Sequence, residues 1–129
     1  MNRYVIDTHG WIEYFRGSSA GEKLGKLLGD GKNKFITGEC SIAEIKCWTL
    51  REAREFEVFA RIVEENSSVE PVTMKDWLYA TDLRHEMRKT RKDFGLIDAV
   101  ILAKQKRHDC TLISGDADFK GLPNVLFLG

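Results

Sequence analysis

The chain has no net charge: 20 Lys and Arg balance 20 Asp and Glu. Composition therefore gives no sign of a surface built for polyanions, and any anionic ligand has to be met by a local basic patch or by bound cations. Cysteine is scarce and odd in number. Cys40, Cys47 and Cys110 include no C-x-x-C pair, and they are read as small buried hydrophobes in a reducing compartment. No apolar run approaches membrane-spanning length. Met1 to Asp7 contains neither a long apolar stretch nor a cleavage signature, so a cytoplasmic location with no membrane partner is expected. A phosphate-cradling glycine loop, a Ser-His-Asp or Cys-His nucleophile arrangement, an internal repeat, a low-complexity tract and a linker are all missing as well.

What is present suits one domain spanning residues 1–129. Hydrophobic residues make up 43% of the chain and charged residues 31%, ordinary proportions for a globular protein. A domain of this size buries roughly two-thirds of the surface that its unfolded chain exposes, enough for a core without disulfides or a structural metal.

Short apolar strands alternate with helices. Strands are expected at Tyr4 to Ile6, Lys34 to Thr37, Val69 to Val72, Cys110 to Ile113 and Val125 to Leu128. Thr8 is the expected cap of a first helix carrying Trp11, Ile12 and Phe15. A second helix carries Leu24, Leu27 and Leu28. Ser41 with Glu44 has the spacing of a capping box opening a third. A fourth carries Phe56, Phe59, Ile62 and Val63. Thr73 caps a long helix that ends in Arg88-Lys89-Thr90-Arg91-Lys92, and a compact apolar helix runs from Ile97 to Ala103. The alternation predicts an α/β fold with a parallel sheet covered on both faces. In such sheets ligands bind outside the carboxyl ends of the strands, where Asp7 and Asp116 fall.

Asp98 is the most informative residue. It interrupts Gly95-Leu96-Ile97-Asp98-Ala99-Val100-Ile101-Leu102-Ala103, and a helix so apolar is expected to be buried on most sides. A carboxylate there needs a partner, because an unpaired buried charge costs several kcal/mol or is protonated. The helix N-terminus contributes only about 0.3–1 kcal/mol; a divalent cation could supply the remainder. Each acid also has an ordinary use: Asp98 as a helix cap, Asp7 as a turn residue, Glu44 as the partner of Ser41, Asp116 and Asp118 as turn formers. Taken together they read differently. A parallel fold gathers strand ends and early helical turns at one edge, and several carboxylates in one pocket are tolerated only with protons or metal. Oxygen-only ligands favour Mg²⁺ or Mn²⁺ over zinc.

This ordered set resembles the PIN-domain family. The family pattern is matched by Asp7-Thr8, by Glu44 in Ser-Ile-Ala-Glu-Ile, by Asp98 in its apolar helix, and by Asp116 and Asp118 in Ser-Gly-Asp-Ala-Asp-Phe. The resemblance covers essentially the whole chain. The length looks like that of VapC-type toxins of type II (VapBC) toxin–antitoxin pairs. It implies a three-layer α/β/α domain with a central, mostly parallel sheet of four to five short strands. It also implies a Mg²⁺- or Mn²⁺-dependent endoribonuclease acting on single-stranded RNA. Asp7, Glu44, Asp98 and Asp116 would be its catalytic metal-binding acids, with Asp118 supporting the metal from further out. An antitoxin and a second copy of the chain are the implied protein partners. Two positions depart from the pattern. His9 stands where Ser or Asn is common, and reads either as a substrate or metal-water contact or as a packing residue. Ser114 replaces Thr and keeps the hydroxyl.

Thr8, His9 and Ser114 are candidate substrate contacts. Arg88, Lys89, Arg91 and Lys92 form a candidate phosphate rim, which Lys46, Arg51 and Arg54 could extend; a solvated helix end is the ordinary alternative. Trp48, Leu50, Phe56, Val58 and Phe59 are either core or a groove for a partner protein. A rival reading is a catalytically silent PIN-fold module that binds RNA or protein. A receiver-like phospho-acceptor domain needs an Asp after the third strand, and Val69-Glu70-Pro71-Val72 provides none.

Overall fold

The computed structural model describes residues 2–129. Five strands and six helices follow one another as β1 (Asn2–Ile6), α1 (Thr8–Arg16), α2 (Ser19–Leu28), β2 (Asn33–Gly38), α3 (Glu39–Arg51), α4 (Phe56–Asn66), β3 (Ser68–Glu70), α5 (Met74–Met87), α6 (Leu96–His108), β4 (Thr111–Ser114) and β5 (Val125–Phe127), with a 3₁₀ turn at Ala117–Phe119 between the last two strands. The sheet order is β3-β2-β1-β4-β5, and every pairing is parallel. The expected α/β architecture is thus the observed one.

Strand alternation divides the core. Successive side chains on a strand point to opposite faces, so Val5 and Leu112 pack on one side of the sheet with Val100, Phe94 and Phe119. Ile6 and Ile113 pack on the other with Trp11, Leu24, Ile45, Trp48 and Phe59. Helices α5 and α6 cover the first face and α1 to α4 the second, giving three layers. The chain winds outward from β1 through β2 to β3, then returns to lay β4 on the other side of β1. The β1–β4 junction is therefore the switch point of the sheet, the place where a crevice opens at the carboxyl ends of the strands.

Local chemistry fixes the element ends, with three corrections to the sequence reading. Asp7, not Thr8, caps α1: its Oδ1 accepts from the Gly10 N–H at 2.6 Å. Ser41 does not cap α3, which begins two residues earlier behind Gly38 and has no side-chain cap. The third strand stops at Glu70, ahead of Pro71, which has no N–H to give a ladder. Thr73 does cap α5, in a capping box with Asp76. The apolar helix α6 is buried from Ala99 through Gln105. Trp48 and Phe59 belong to the core, their rings 5.3 Å apart, while Leu50 and Val58 are exposed. Among the described residues, no helix is long and apolar enough to cross a membrane.

Candidate active site

The carboxyl edge of the sheet carries a cavity of about 400 Å³. Asp7, Glu44, Asp98 and Asp116 all line it, so four acids from distant parts of the sequence share one space. Each arrives by a different route.

Asp7 leaves β1 and is only 2% exposed. Both of its oxygens are held: Oδ1 by the Gly10 N–H, and Oδ2 by the hydroxyl of Ser114 at the end of β4. Residue 10 has little room for a side chain, since a Cβ there would sit 3.1 Å from Asp7 Oδ1. Burial pushes the Asp7 carboxyl up to about 7. The bonds from Ser114 and Gly10 and the nearby His9 pull the other way, and Asp116 adds to the rise.

Asp98 occupies the first turn of α6, where Oδ2 accepts from the Gly95 N–H at 3.3 Å. Burial pushes its carboxyl up to about 6, reinforced by the charge of Asp116 and, more weakly, of Glu44 and Asp118. The Gly95 bond opposes the rise. Asp116 follows β4: its N–H donates to Ser114 Oγ at 2.9 Å, and its Oδ1 accepts from the Asp118 N–H at 2.9 Å. Ser114 thus ties the β1 acid to the β4 acids. Glu44 projects from α3 and accepts the Thr8 hydroxyl at 2.6 Å. His9 is exposed, with Nε2 3.6 Å from Asp116 Oδ2.

Asp98, Asp116 and Asp118 can place one carboxylate oxygen each within 4.8 Å of one another. Asp118 thus joins Asp98 and Asp116 in one group, while Asp7 and Glu44 line the cavity together with Asp98 and Asp116. Among the described residues, no Lys or Arg forms an ion pair with any of these five acids; His9 with Asp116 is their one ion-pair contact. A concentration of carboxylate oxygens, with the Asp7 and Asp98 carboxyls raised by burial and no Lys or Arg partner among the described residues, fits a hard divalent cation such as Mg²⁺ or Mn²⁺.

Two groups of expected substrate contacts are relocated. Thr8 and Ser114 are buried and their hydroxyls are engaged with Glu44 and Asp7, so both position acids; Thr8 also lines the cavity, and Ser114 does not. Arg88, Lys89, Arg91 and Lys92 do not line the cavity. Arg88 Nε donates to the Phe94 carbonyl at 2.8 Å, just before α6, and Arg91 to the Lys120 carbonyl at 2.8 Å, just after the 3₁₀ turn, and Lys89 pairs with Glu86. The cations that do line the cavity are Arg16 of α1 and Arg51 of α3. The sequence reading overlooked Arg16, because only the fold brings the end of α1 to the face of α3.

A three-layer α/β domain with a carboxylate cluster at the switch point of a parallel sheet is the class of protein that these observations define. Its sequence matches the PIN domain over residues 4–125, and the chain belongs to the PIN-domain family. Solved structures share the fold throughout. The chain is similar to one in a toxin–antitoxin complex from Klebsiella pneumoniae, with a TM-score of 0.74, 20% identity and 98% of each chain covered. It is similar to VapBC2 from Rickettsia felis bound to a DNA fragment from its promoter, at TM-score 0.71 and 18% identity over 97% of this chain and 96% of that one. A VapC toxin from Mycobacterium tuberculosis that cleaves the sarcin-ricin loop matches at TM-score 0.75 and 18% identity, over 95% of this chain and 96% of that one. No curated protein sequence is significantly similar to the chain.

Proposed function

We propose that the chain is a divalent-metal-dependent endoribonuclease and the toxin of a VapBC-type pair. The observation that carries this reading is the clustering of Asp98, Asp116 and Asp118, one oxygen each within 4.8 Å, beside a cavity that Asp98 and Asp116 line together with Asp7 and Glu44, with no Lys or Arg among the described residues paired to any of them. Family membership supports nuclease chemistry. The toxin–antitoxin and loop-cleaving neighbours support a toxin that cuts RNA and is restrained by an antitoxin.

Asp98, Asp116 and Asp118 would hold Mg²⁺ or Mn²⁺, with Asp7 and Glu44 as further oxygen donors. Such a cation supplies acidification of water and neutralisation of charge on a phosphodiester. The chain's own groups set up the cavity for that task. Ser114 and Gly10 fix the Asp7 carboxylate, Thr8 fixes Glu44, and the α6 N-terminus orients Asp98. With its carboxyl raised to about 7 by burial, Asp7 would hold a proton more readily than an ordinary carboxyl, and a bound cation would compete with that proton. His9 stands exposed beside Asp116, where it can meet the substrate. Water is the nucleophile, so the products end in a 5′-phosphate and a 3′-hydroxyl.

The same reading gives the chain a cytoplasmic location and a homodimeric state, with Leu50 and Val58 contributing apolar contact to the second copy or to the antitoxin. Incubating the chain with a panel of RNAs in Mg²⁺, Mn²⁺ or EDTA tests the activity, and growth after expression without an antitoxin tests the toxin role. No cation-dependent cleavage of any RNA would end the nuclease reading. Normal growth at good soluble expression would end the toxin reading. Light scattering that finds a monomer at micromolar concentration would end the dimer.

A further inference from the structure

We infer that Arg51 anchors the RNA strand, taking the phosphate of a nucleotide next to the one being cut and so setting how the strand crosses the cavity. This rests on the nuclease reading and adds a residue and a direction to it.

Helix α3 places Glu44 and Arg51 seven residues apart, two helical turns along one face, and both line the cavity. At 1.5 Å per residue the axial separation is about 10.5 Å. With their backbones that far apart on one wall, a strand that runs from the acids toward Arg51 brings a neighbouring phosphate to it. The two cavity arginines differ in how they are held. Arg16 lies 3.6 Å from Glu13, 3.7 Å from Glu52 and 5.9 Å from the Trp48 ring centroid, so its guanidinium is braced. Arg51 is exposed, and its side chain makes no hydrogen bond, ion pair or ring contact with any described residue. A helix end accounts for a cation at this position, but not for one that shares a cavity with four carboxylates and pairs with none. A strand entering an acid-lined cavity is repelled except where cations meet it, and each neutralised phosphate adds affinity that falls with salt. Arg51 is the free guanidinium on that wall, and its planar fork suits phosphate oxygens.

The test is steady-state cleavage of a mixed-sequence single-stranded RNA oligonucleotide in Mn²⁺ over a range of salt. It compares the wild type with Arg51→Gln, Arg51→Lys and the control Arg61→Gln, an exposed α4 cation away from the cavity. Arg51→Gln should raise KM about tenfold, the effect of losing one charge-assisted contact, with kcat little changed. It should also flatten the logarithmic salt dependence of kcat/KM by about 0.7, the value of one phosphate on a single strand. Arg51→Lys keeps the charge and should restore the slope, which a purely structural role would not do. If the wild type cuts RNA while Arg51→Gln behaves like Arg61→Gln, the inference falls and the nuclease reading stands. Loss of kcat at unchanged KM would overturn it too, by placing Arg51 on the reacting phosphate. A wild type that cuts no RNA would overturn both.

Discussion

The Ser114 hydroxyl donates to Asp7 Oδ2 across the β1–β4 junction, and the same oxygen accepts the Asp116 N–H. One serine therefore holds a buried acid from the start of the chain against an acid from its end. Ser114→Ala leaves an Asp7 oxygen unsatisfied in a buried setting, which should cost about 1–3 kcal/mol in urea unfolding. It also removes a bond that favours the ionised carboxylate, so the Asp7 carboxyl should rise further. Protons then compete better with the cation. The Mn²⁺ concentration for half-maximal activity should increase, and more at pH 6 than at pH 8. An equal increase at both would show that Ser114 does not act through the Asp7 proton. Ser114→Thr keeps the hydroxyl and should stay close to the wild type.

Stability without metal should fall as pH rises through the neutral range. Asp7 and Asp98 titrate near 7 and 6 in the folded chain, against an ordinary carboxyl value of 3.8. Between those limits the folded state holds more protons than the unfolded state, so raising pH disfavours folding. Melting temperature in EDTA should therefore decline from about pH 4 to pH 7 and then level off. Asp7→Asn should flatten much of this slope. Added Mn²⁺ should raise the melting temperature at pH 7.5 more than at pH 5. A flat EDTA profile would mean that these carboxyls are not strained toward protonation.

At the other end of α6 the sign reverses. Asp76 is fully buried, and its carboxylate meets Lys104 at 3.0 Å and also pairs with Arg107. Burial opposes its ionisation, but the Thr73 N–H and the two cations outweigh that and hold it well below the usual carboxylate range. This stabilisation is present above an ordinary carboxylate pKa of about 4 and is lost as pH falls below it. With the preceding effect, it places the stability optimum of the metal-free chain at mildly acidic pH. Asp76→Asn removes the carboxylate nearest the buried Lys104, leaving it only Glu70 at 3.7 Å and the Pro71 carbonyl at 2.7 Å, and should cost about 3 kcal/mol. Asp76→Asn with Lys104→Met should recover part of that loss. Asp76 does not line the cavity, so cleavage per folded molecule should not change.

The fold and the acids were legible in the sequence because both follow from short-range rules. Short apolar strands such as Tyr4 to Ile6 and Cys110 to Ile113, alternating with helices, announced a parallel sheet covered on both faces, and Asp98 stood out against the apolar helix around it. What failed were features decided by neighbours distant in the chain. The Ser41-x-x-Glu44 spacing suits a capping box, yet Glu44 takes its hydrogen bond from Thr8. Trp48 and Phe59 looked like a surplus of apolar surface, until Phe15 of α1 met both rings, 5.9 Å and 4.7 Å away. The Arg88 to Lys92 run looked like a phosphate rim because a charge run carries no information about whether carbonyls absorb it. Arg16 was invisible for the converse reason, as an isolated cation given a place by tertiary packing alone.

Asp98→Asn should separate chemistry from folding. The substitution keeps the size of the side chain and an oxygen that can still accept the Gly95 N–H. It removes a charge that burial and Asp116 already disfavour, so unfolding by urea should show a stability equal to or above that of the wild type near neutral pH without metal. The donor set loses an anionic oxygen from the Asp98–Asp116–Asp118 cluster, and a cation held by fewer charges does less to acidify water or to offset phosphate charge. Cleavage of RNA in Mg²⁺ or Mn²⁺ should then fall by roughly 10²-fold or more, as when a major electrostatic contact to a transition state is removed. EDTA should abolish wild-type cleavage, and Mn²⁺ should restore it. Because water rather than the ribose 2′-hydroxyl attacks, wild-type products should be substrates for a 5′-phosphate-dependent exonuclease and for poly(A) polymerase at their 3′-hydroxyl. Products ending in a 2′,3′-cyclic phosphate, or cleavage that survives EDTA, would show that the acids serve another chemistry. A destabilised Asp98→Asn protein would show that the Asp98 charge supports the fold rather than straining it.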